Sequence, residues 1–132
     1  TPVRDLSGRK VLLCEDNAMN TEIAKAMLES RGLVVVCAAD GREGVQKFAA
    51  SQEGEFSAVF MDIRMPVMDG REAARAIRAL NRSDAASVPI IAMTADAFAE
   101  DVAKCREAGM NSHVPKPIDP RLLFGELDRL VK

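Results

Sequence analysis

At 132 residues the chain is long enough for one domain that buries about two thirds of the surface its unfolded form would expose. Its 18 basic and 20 acidic residues are scattered and leave a net charge of −2, which removes the electrostatic footprint for nucleic acid or an anionic membrane surface. The longest apolar run, Leu33–Ala39, falls far short of the roughly 18 residues of a membrane span, and Cys14, Cys37 and Cys105 form no C-x-x-C pair, so a cytoplasmic domain with buried free thiols is expected.

The polar stretch Thr1–Gly8 reads as a loose lead-in, leaving residues 9–132 for the domain, and a start at Thr1 rather than Met suggests a segment of a longer protein. Lys10–Cys14 is the first of five short, β-rich apolar runs. In Asn17–Ser30, Met19, Ile23 and Met27 recur every four residues beside Ala24 and Leu28, the period of an amphipathic helix with an inward stripe, which Gly32 ends. The second run is Leu33–Ala38; the helix after it spans Arg42–Ala50, with Val45, Phe48 and Ala49 inside and a Glu43–Lys47 pair outside. Ala58–Met61 is the third run, followed by a helix over Arg71–Leu80 with Ala73, Ala74, Ile77 and Leu80 on one face. Asn81–Ser87 reads as a surface loop before the fourth run, Val88–Ala92. A helix over Ala97–Ala108 carries Phe98, Val102 and Cys105 and precedes the fifth run, Ser112–Val114; Pro120–Val131 closes the chain on Leu123, Leu127 and Leu130. Strands this short and continuously apolar are covered on both faces, and their alternation with helices argues for crossover units. The expected fold is α/β: a doubly wound, five-stranded parallel sheet flanked by five helices, with any ligand at the carboxyl ends of the strands.

Those ends carry chemistry. Glu15 and Asp16 follow the first run, Asp62 the third, Thr94 the fourth and Lys116 the fifth, while the second run leads only into a turn and can lie at an outer edge. Two carboxylates about 4 Å apart repel by roughly 4 kcal/mol at an effective dielectric near 20. Either a proton is shared among them or a hard cation takes the site, and magnesium suits one or two carboxylates with retained waters. Carboxylates, a magnesium ion, a lysine and a small hydroxyl are the parts that stabilise a phosphoryl group in transfer, and a carboxylate can itself accept that group. Met65-Pro66 then turns the chain away and Asp69-Gly70 starts the next helix, which keeps Asp62 at an open loop mouth.

The stretches VLLCEDN, VFMDIRMPVMDG, IIAMTA and HVPKPID, in this order and spacing, resemble the receiver domain of two-component response regulators over about residues 9–131, most closely receivers attached to hybrid sensor histidine kinases. The fold would then be flavodoxin-like, with strand order 2-1-3-4-5. By this resemblance Asp62 is the phospho-acceptor, and Mg2+ (or Mn2+) is held by Glu15, Asp16, Asp62 and the backbone carbonyl of Arg64, Asp16 directly and Glu15 through water. Thr94 would hydrogen-bond the phosphoryl oxygen and Lys116 would pair with it, beside a cis Lys116–Pro117 bond; Ala95, being small, would leave the phosphate reachable. His113 stands where many receivers place a rotating Tyr or Phe, and reads either as a half-exposed strand residue or as a switch. Arg64 and Asp96, two residues beyond Asp62 and Thr94, are expected to flank the phosphate and gate the approach of water. The implied partners are a histidine kinase or a histidine phosphotransfer domain, with no nucleic acid or membrane touched by this domain, although the parent protein could be membrane-anchored. The implied activity is self-catalysed phosphotransfer, slow autodephosphorylation and a conformational change near the fourth helix. A dehalogenase-like phosphatase would carry D-x-D after the first strand, where this chain has EDN; a flavin-binding module would need a Ser/Thr/Gly-rich phosphate loop and ring-sandwiching aromatics, and the chain has no Trp or Tyr.

Overall fold

Short, mostly apolar runs line up in parallel as β1 (Lys10–Cys14), β2 (Val34–Ala38), β3 (Phe56–Asp62), β4 (Ile90–Thr94) and β5 (Ser112–Pro115), in one sheet of order β2-β1-β3-β4-β5. The computed structural model describes residues 6–94, 99–116 and 118–131. Among them are six helices, five between the strands and one after the last: α1 (Ala18–Glu29), α2 (Gly41–Ala50), α3 (Gly70–Arg78), α4 (Ser83–Ser87), α5 (Ala99–Glu107) and α6 (Pro120–Leu130). Fold class and strand order are as expected, with one helix more. Among the described residues, no helix is long and apolar enough to cross a membrane.

Because successive strand residues face opposite sides, the sheet feeds two apolar layers. Leu12, Val59, Met61, Ile90 and Ala92 pack with Phe48 of α2, Ala73, Ala74 and Ile77 of α3, and Cys105 of α5. Val11, Leu13, Phe60, Ile91 and Met93 pack with Ala24 and Leu28 of α1 and Leu123 and Leu127 of α6. The helix starts are set by short polar side chains that satisfy otherwise orphaned N–H groups: Asn17 for α1, Asp40 for α2, Asp69 for α3 and Asp119 for α6. At the outer edge, β2 has its Cys37 carbonyl taken by the Lys47 ammonium, which also pairs with Glu43 at 3.0 Å.

Several expectations need correction. The α1 stripe is only half core: Ala24 and Leu28 are buried, whereas Met19 is 72% and Ile23 46% exposed. Ala49 is exposed, and Cys37 is only partly buried because it lies on an edge strand, while Cys14 and Cys105 are buried. Asp62 and Thr94 are the last residues of their strands rather than the first residues beyond them. Ala97, Phe98 and the side chain of Val102 lie outside the described residues.

The Asn81–Ser87 loop contains α4, a helix without an amphipathic signal. Tertiary contacts make it: Ala85 is buried, and the Arg82 guanidinium contacts Asp84 at 2.6 Å, stacks on the Phe48 ring at 4.8 Å and donates to the carbonyls of Phe48 and Ser51 at 3.0 and 2.8 Å. Asp84 in turn accepts from the Gly54 N–H at 2.9 Å. These partners lie some thirty residues upstream and leave no local pattern.

The lead-in is not loose throughout. Leu6 is buried in the α1/α6 layer with Leu28, Leu33 and Val131, and Gly8 donates to the Gly32 carbonyl at 2.8 Å. Leu6→Ala is therefore expected to lower the unfolding free energy by about 2–4 kcal/mol, read from urea denaturation midpoints; an unchanged midpoint would place this residue outside the cooperative unit.

Candidate functional site

Parallel register brings the strand ends together. Asp62 closes β3 opposite Met93, and Thr94 closes β4 opposite Pro115, so β5 delivers Lys116 beside Thr94, where its N–H donates to the Thr94 carbonyl at 2.8 Å. On the other side, Cys14 pairs with Met61, which sets Glu15 beside Asp62. Glu15, Asp62 and Thr94, at 4, 5 and 7% exposure, are the buried polar or charged side chains among the described residues.

Lys116 ties the two buried carboxylates together. Its ammonium lies 2.9 Å from Glu15 Oε2 and 3.2 Å from Asp62 Oδ2. Each remaining oxygen meets a backbone donor: Asn17 N–H reaches Glu15 Oε1 at 3.2 Å and Arg64 N–H reaches Asp62 Oδ1 at 3.4 Å. Asp16 is exposed at the rim, and Glu15, Asp16 and Asp62 each offer an oxygen within 4.8 Å of the others. Burial first, and then the Glu15 charge, pushes the Asp62 carboxyl up to about 6, against the downward pull of Lys116. For Lys116, burial opposes the charged form, but the hydrogen bond to Glu15 and the charges of Asp62 and Glu15 outweigh it and hold the ammonium above its ordinary range.

The loop between β3 and α3 is held tightly behind Asp62. Gly70 N–H donates to the Ile63 carbonyl at 2.8 Å, and a Cβ at Gly70 would lie 2.3 Å from the Asp62 carbonyl oxygen. Gly41 N–H donates to the Met68 carbonyl at 3.2 Å, where a Cβ would again approach to 2.3 Å. Only glycine permits these two approaches. Between them Met68 N–H donates back to the Pro66 carbonyl at 2.7 Å across Val67, whose φ of 68° makes this a γ-turn of the strained, positive-φ kind.

Glu15, Asp16, Asp62, Arg64, Thr94 and Lys116 all line one open cleft of about 250 Å3. Its donor set is entirely oxygen, with one carboxylate exposed and room for water, which fits a hard divalent cation. Asn17 and Asn20 also border the cleft. Asn17 had read only as the start of a helix, and the residue immediately after an acidic pair at a strand end was the available signal. His113 sits on β5 opposite Ala92, half-buried, in a separate hollow of about 20 Å3 beside Cys105 and Met110. Ala95, Asp96 and the Lys116–Pro117 bond lie outside the described residues.

Comparison with known proteins agrees with this arrangement. Residues 11–128 match the family described as response regulator receiver domain. The hybrid signal transduction histidine kinase I of Dictyostelium discoideum is 38% identical over 118 residues, which is 88% of this chain but 7% of that protein. Among solved structures, the receiver domain of sensor histidine kinase PA1611 from Pseudomonas aeruginosa PAO1, with a magnesium ion coordinated in its active-site cleft, is 40% identical, with TM-score 0.84 over 94% of this chain and 98% of that one. A co-crystal of the Saccharomyces cerevisiae histidine phosphotransfer protein Ypd1 with the receiver domain of Ssk1 matches at 28% identity and TM-score 0.81, over 93% of this chain and 88% of that one. Order of strands, placement of the acidic cleft and similarity in sequence all converge: this chain belongs to the response regulator receiver domain family.

Proposed function

We propose that Asp62 receives a phosphoryl group from a phosphohistidine on a histidine kinase or a histidine phosphotransfer domain. The observation that carries this reading is the Lys116 ammonium bridging Glu15 and Asp62 at 2.9 and 3.2 Å, with the Asp16 carboxylate within reach of both. In the transfer an Asp62 Oδ forms the new O–P bond as the N–P bond of the donor breaks, and the released imidazole nitrogen keeps the electron pair and takes up a proton. Hydrolysis later cleaves the acyl phosphate to carboxylate and inorganic phosphate.

Asp16, Asp62 and the Arg64 carbonyl would hold Mg2+ or Mn2+, with Glu15 acting through water because both of its oxygens already serve Lys116 and Asn17. The cation supplies neutralisation of the charge on the phosphoryl oxygens. Lys116 then moves its point charge from the free carboxylates to the phosphoryl group, and the Thr94 hydroxyl donates to a phosphoryl oxygen. Ala95, being small, would leave that oxygen reachable, and Arg64, which lines the cleft, would restrict water together with Asp96. His113, half-buried on β5, tunes the conformational change that passes towards α5.

The surface for the donor is the rim of the cleft: α1 with exposed Met19 and Ile23, and a hollow of about 100 Å3 between Ile23, Ala24, Met93 and Ile118 that reaches Glu15 and Lys116. We read the chain as the cytoplasmic receiver part of a longer protein, in keeping with relatives of which it spans 7–14%.

Incubation with Mg2+ and acetyl phosphate, followed by intact mass, is expected to add one phosphoryl group to the wild type and none to Asp62→Asn; persistent label in the variant would move the acceptor elsewhere. The pH dependence of stability follows from the raised carboxyl. Native Asp62 keeps its proton up to about 6, whereas the unfolded residue releases it near 3.8, so the native state binds more protons across that window and rising pH favours unfolding. Relative to Asp62→Asn, the metal-free wild type should lose on the order of 1–3 kcal/mol between about pH 4 and 7 in urea titrations, and Mg2+ should restore part of it; parallel curves for the two proteins would contradict this. Arg64→Ala is expected to shorten the acyl-phosphate half-life by a factor on the order of 3–10 in a phosphate-release assay, and an unchanged half-life would remove the gating role.

A further inference from the structure

Charge is spread unevenly over the helices. α3 carries three arginines and one glutamate, in a chain whose net charge is −2. Arg71, Arg75 and Arg78 recur at i, i+4 and i+7, which places them in one stripe along a flank of the helix. The C-terminal end of the stripe fixes its direction. There the Arg78 guanidinium donates to the Gly109 carbonyl at 2.7 and 3.0 Å, to the Ala85 carbonyl at 3.1 Å and to Asn111 Oδ1 at 2.8 Å. The flank therefore looks towards the end of α5, where Lys104 and Arg106 are exposed beside Glu107. These partners of Arg78 are all neutral. Among the described residues, neither Arg71 nor Arg75 pairs with a carboxylate, although Glu72 stands three residues before Arg75. Folding gains nothing from this arrangement: Arg71 places a cation in the first turn, against the helix macrodipole, and Arg71 and Arg75 repel each other across four residues. Glutamine would serve the helix about as well and repel nothing.

We propose that Arg71 and Arg75 form a docking surface for an extended acidic segment of another protein, recognised through carboxylates two residues apart. Geometry sets the spacing. Four helical residues rise about 6 Å, and two residues of an extended chain span about 6.6 Å. Each guanidinium presents a planar fork that takes a carboxylate bidentately, which an ammonium does not. The chain's own E-x-E, Glu53 and Glu55, is not the occupant, since those carboxylates already hold Ser83 and Lys10 at 2.9 and 3.1 Å. The net charge of −2 disfavours a nucleic-acid strand, because phosphate recognition draws on a wider basic field than one helix flank. Neither arginine lines the Asp62 cleft, so the surface stands apart from the chemistry of Asp62 and does not rest on that reading.

The probe is a fluorescein-labelled peptide of alternating glutamate and serine, titrated with the domain at low ionic strength and followed by fluorescence anisotropy. Two comparators accompany it: a peptide with as many glutamates set four residues apart, about 13 Å when extended, and a single-stranded DNA oligonucleotide. Arg71→Gln and Arg75→Gln should each raise the dissociation constant of the alternating peptide about five-fold or more. Both variants should melt at or above the wild-type temperature, whereas loss of a merely structural contact would lower it. Arg75→Lys, which keeps the charge and loses the fork, should fall between the wild type and Arg75→Gln. The wider-spaced peptide should bind the wild type at least about three-fold more weakly. A wild type that binds neither peptide, affinity unchanged by both glutamine substitutions, equal affinity for the two spacings, or tighter binding of the DNA through the same arginines overturns the proposal.

Discussion

Three carboxylates share one strand-end cleft because a single ammonium stands between two of them. Lys116 lies 2.9 Å from Glu15 and 3.2 Å from Asp62, where burial would otherwise penalise both charges. The rest of the fold can be read as the means of delivering that contact. Lys116 arrives at the end of β5, held by its N–H to the Thr94 carbonyl, and Glu15 arrives at the end of β1, so the two must flank β3 and β4 for the bridge to close. A sheet ordered β2-β1-β3-β4-β5 does this and leaves β2 as the strand with nothing to contribute. Lys116 also makes the charge balance transferable, since an incoming cation or phosphoryl group competes for partners already arranged around it.

Behind the carboxylates, rigidity comes from backbone contacts rather than side-chain bulk. Gly41 and Gly70 let two neighbouring segments touch the loop after Asp62 at distances no Cβ would allow, and the hydrogen bonds there hold a γ-turn that would be unfavourable alone. The Asp62 carboxylate thus has a nearly immovable floor while Asp16 and Arg64 remain at a solvated rim. Such a division positions one buried oxygen accurately beside a rim left open to solvent.

Much of this was legible before any coordinates. Short continuous apolar runs alternating with helical periods led to the parallel sheet, and charged residues stranded at the ends of those runs led to Glu15, Asp16, Asp62, Thr94 and Lys116, because a buried strand gives no local reason to end in a carboxylate. The failures have physical causes as well. Met19 and Ile23 share the helical period of Ala24 and Leu28, and periodicity cannot tell a core stripe from one that leans out over a cleft mouth. α4 comes from Arg82 bonding to carbonyls some thirty residues away. Leu6 looked like part of a polar lead-in because a single apolar residue carries no pattern. Val67 was invisible because its interest lies in a backbone angle, and valine is the residue least expected to reveal one.

Lys47, laid against the Cys37 carbonyl at the open margin of β2, has a quieter effect. A five-residue strand of valines, a cysteine and an alanine at the margin of a sheet is the sort of template onto which a foreign strand could add, and a charged side chain on one of its backbone acceptors obstructs that addition. Growth of the sheet by strand addition between crowded copies is thereby disfavoured at this margin.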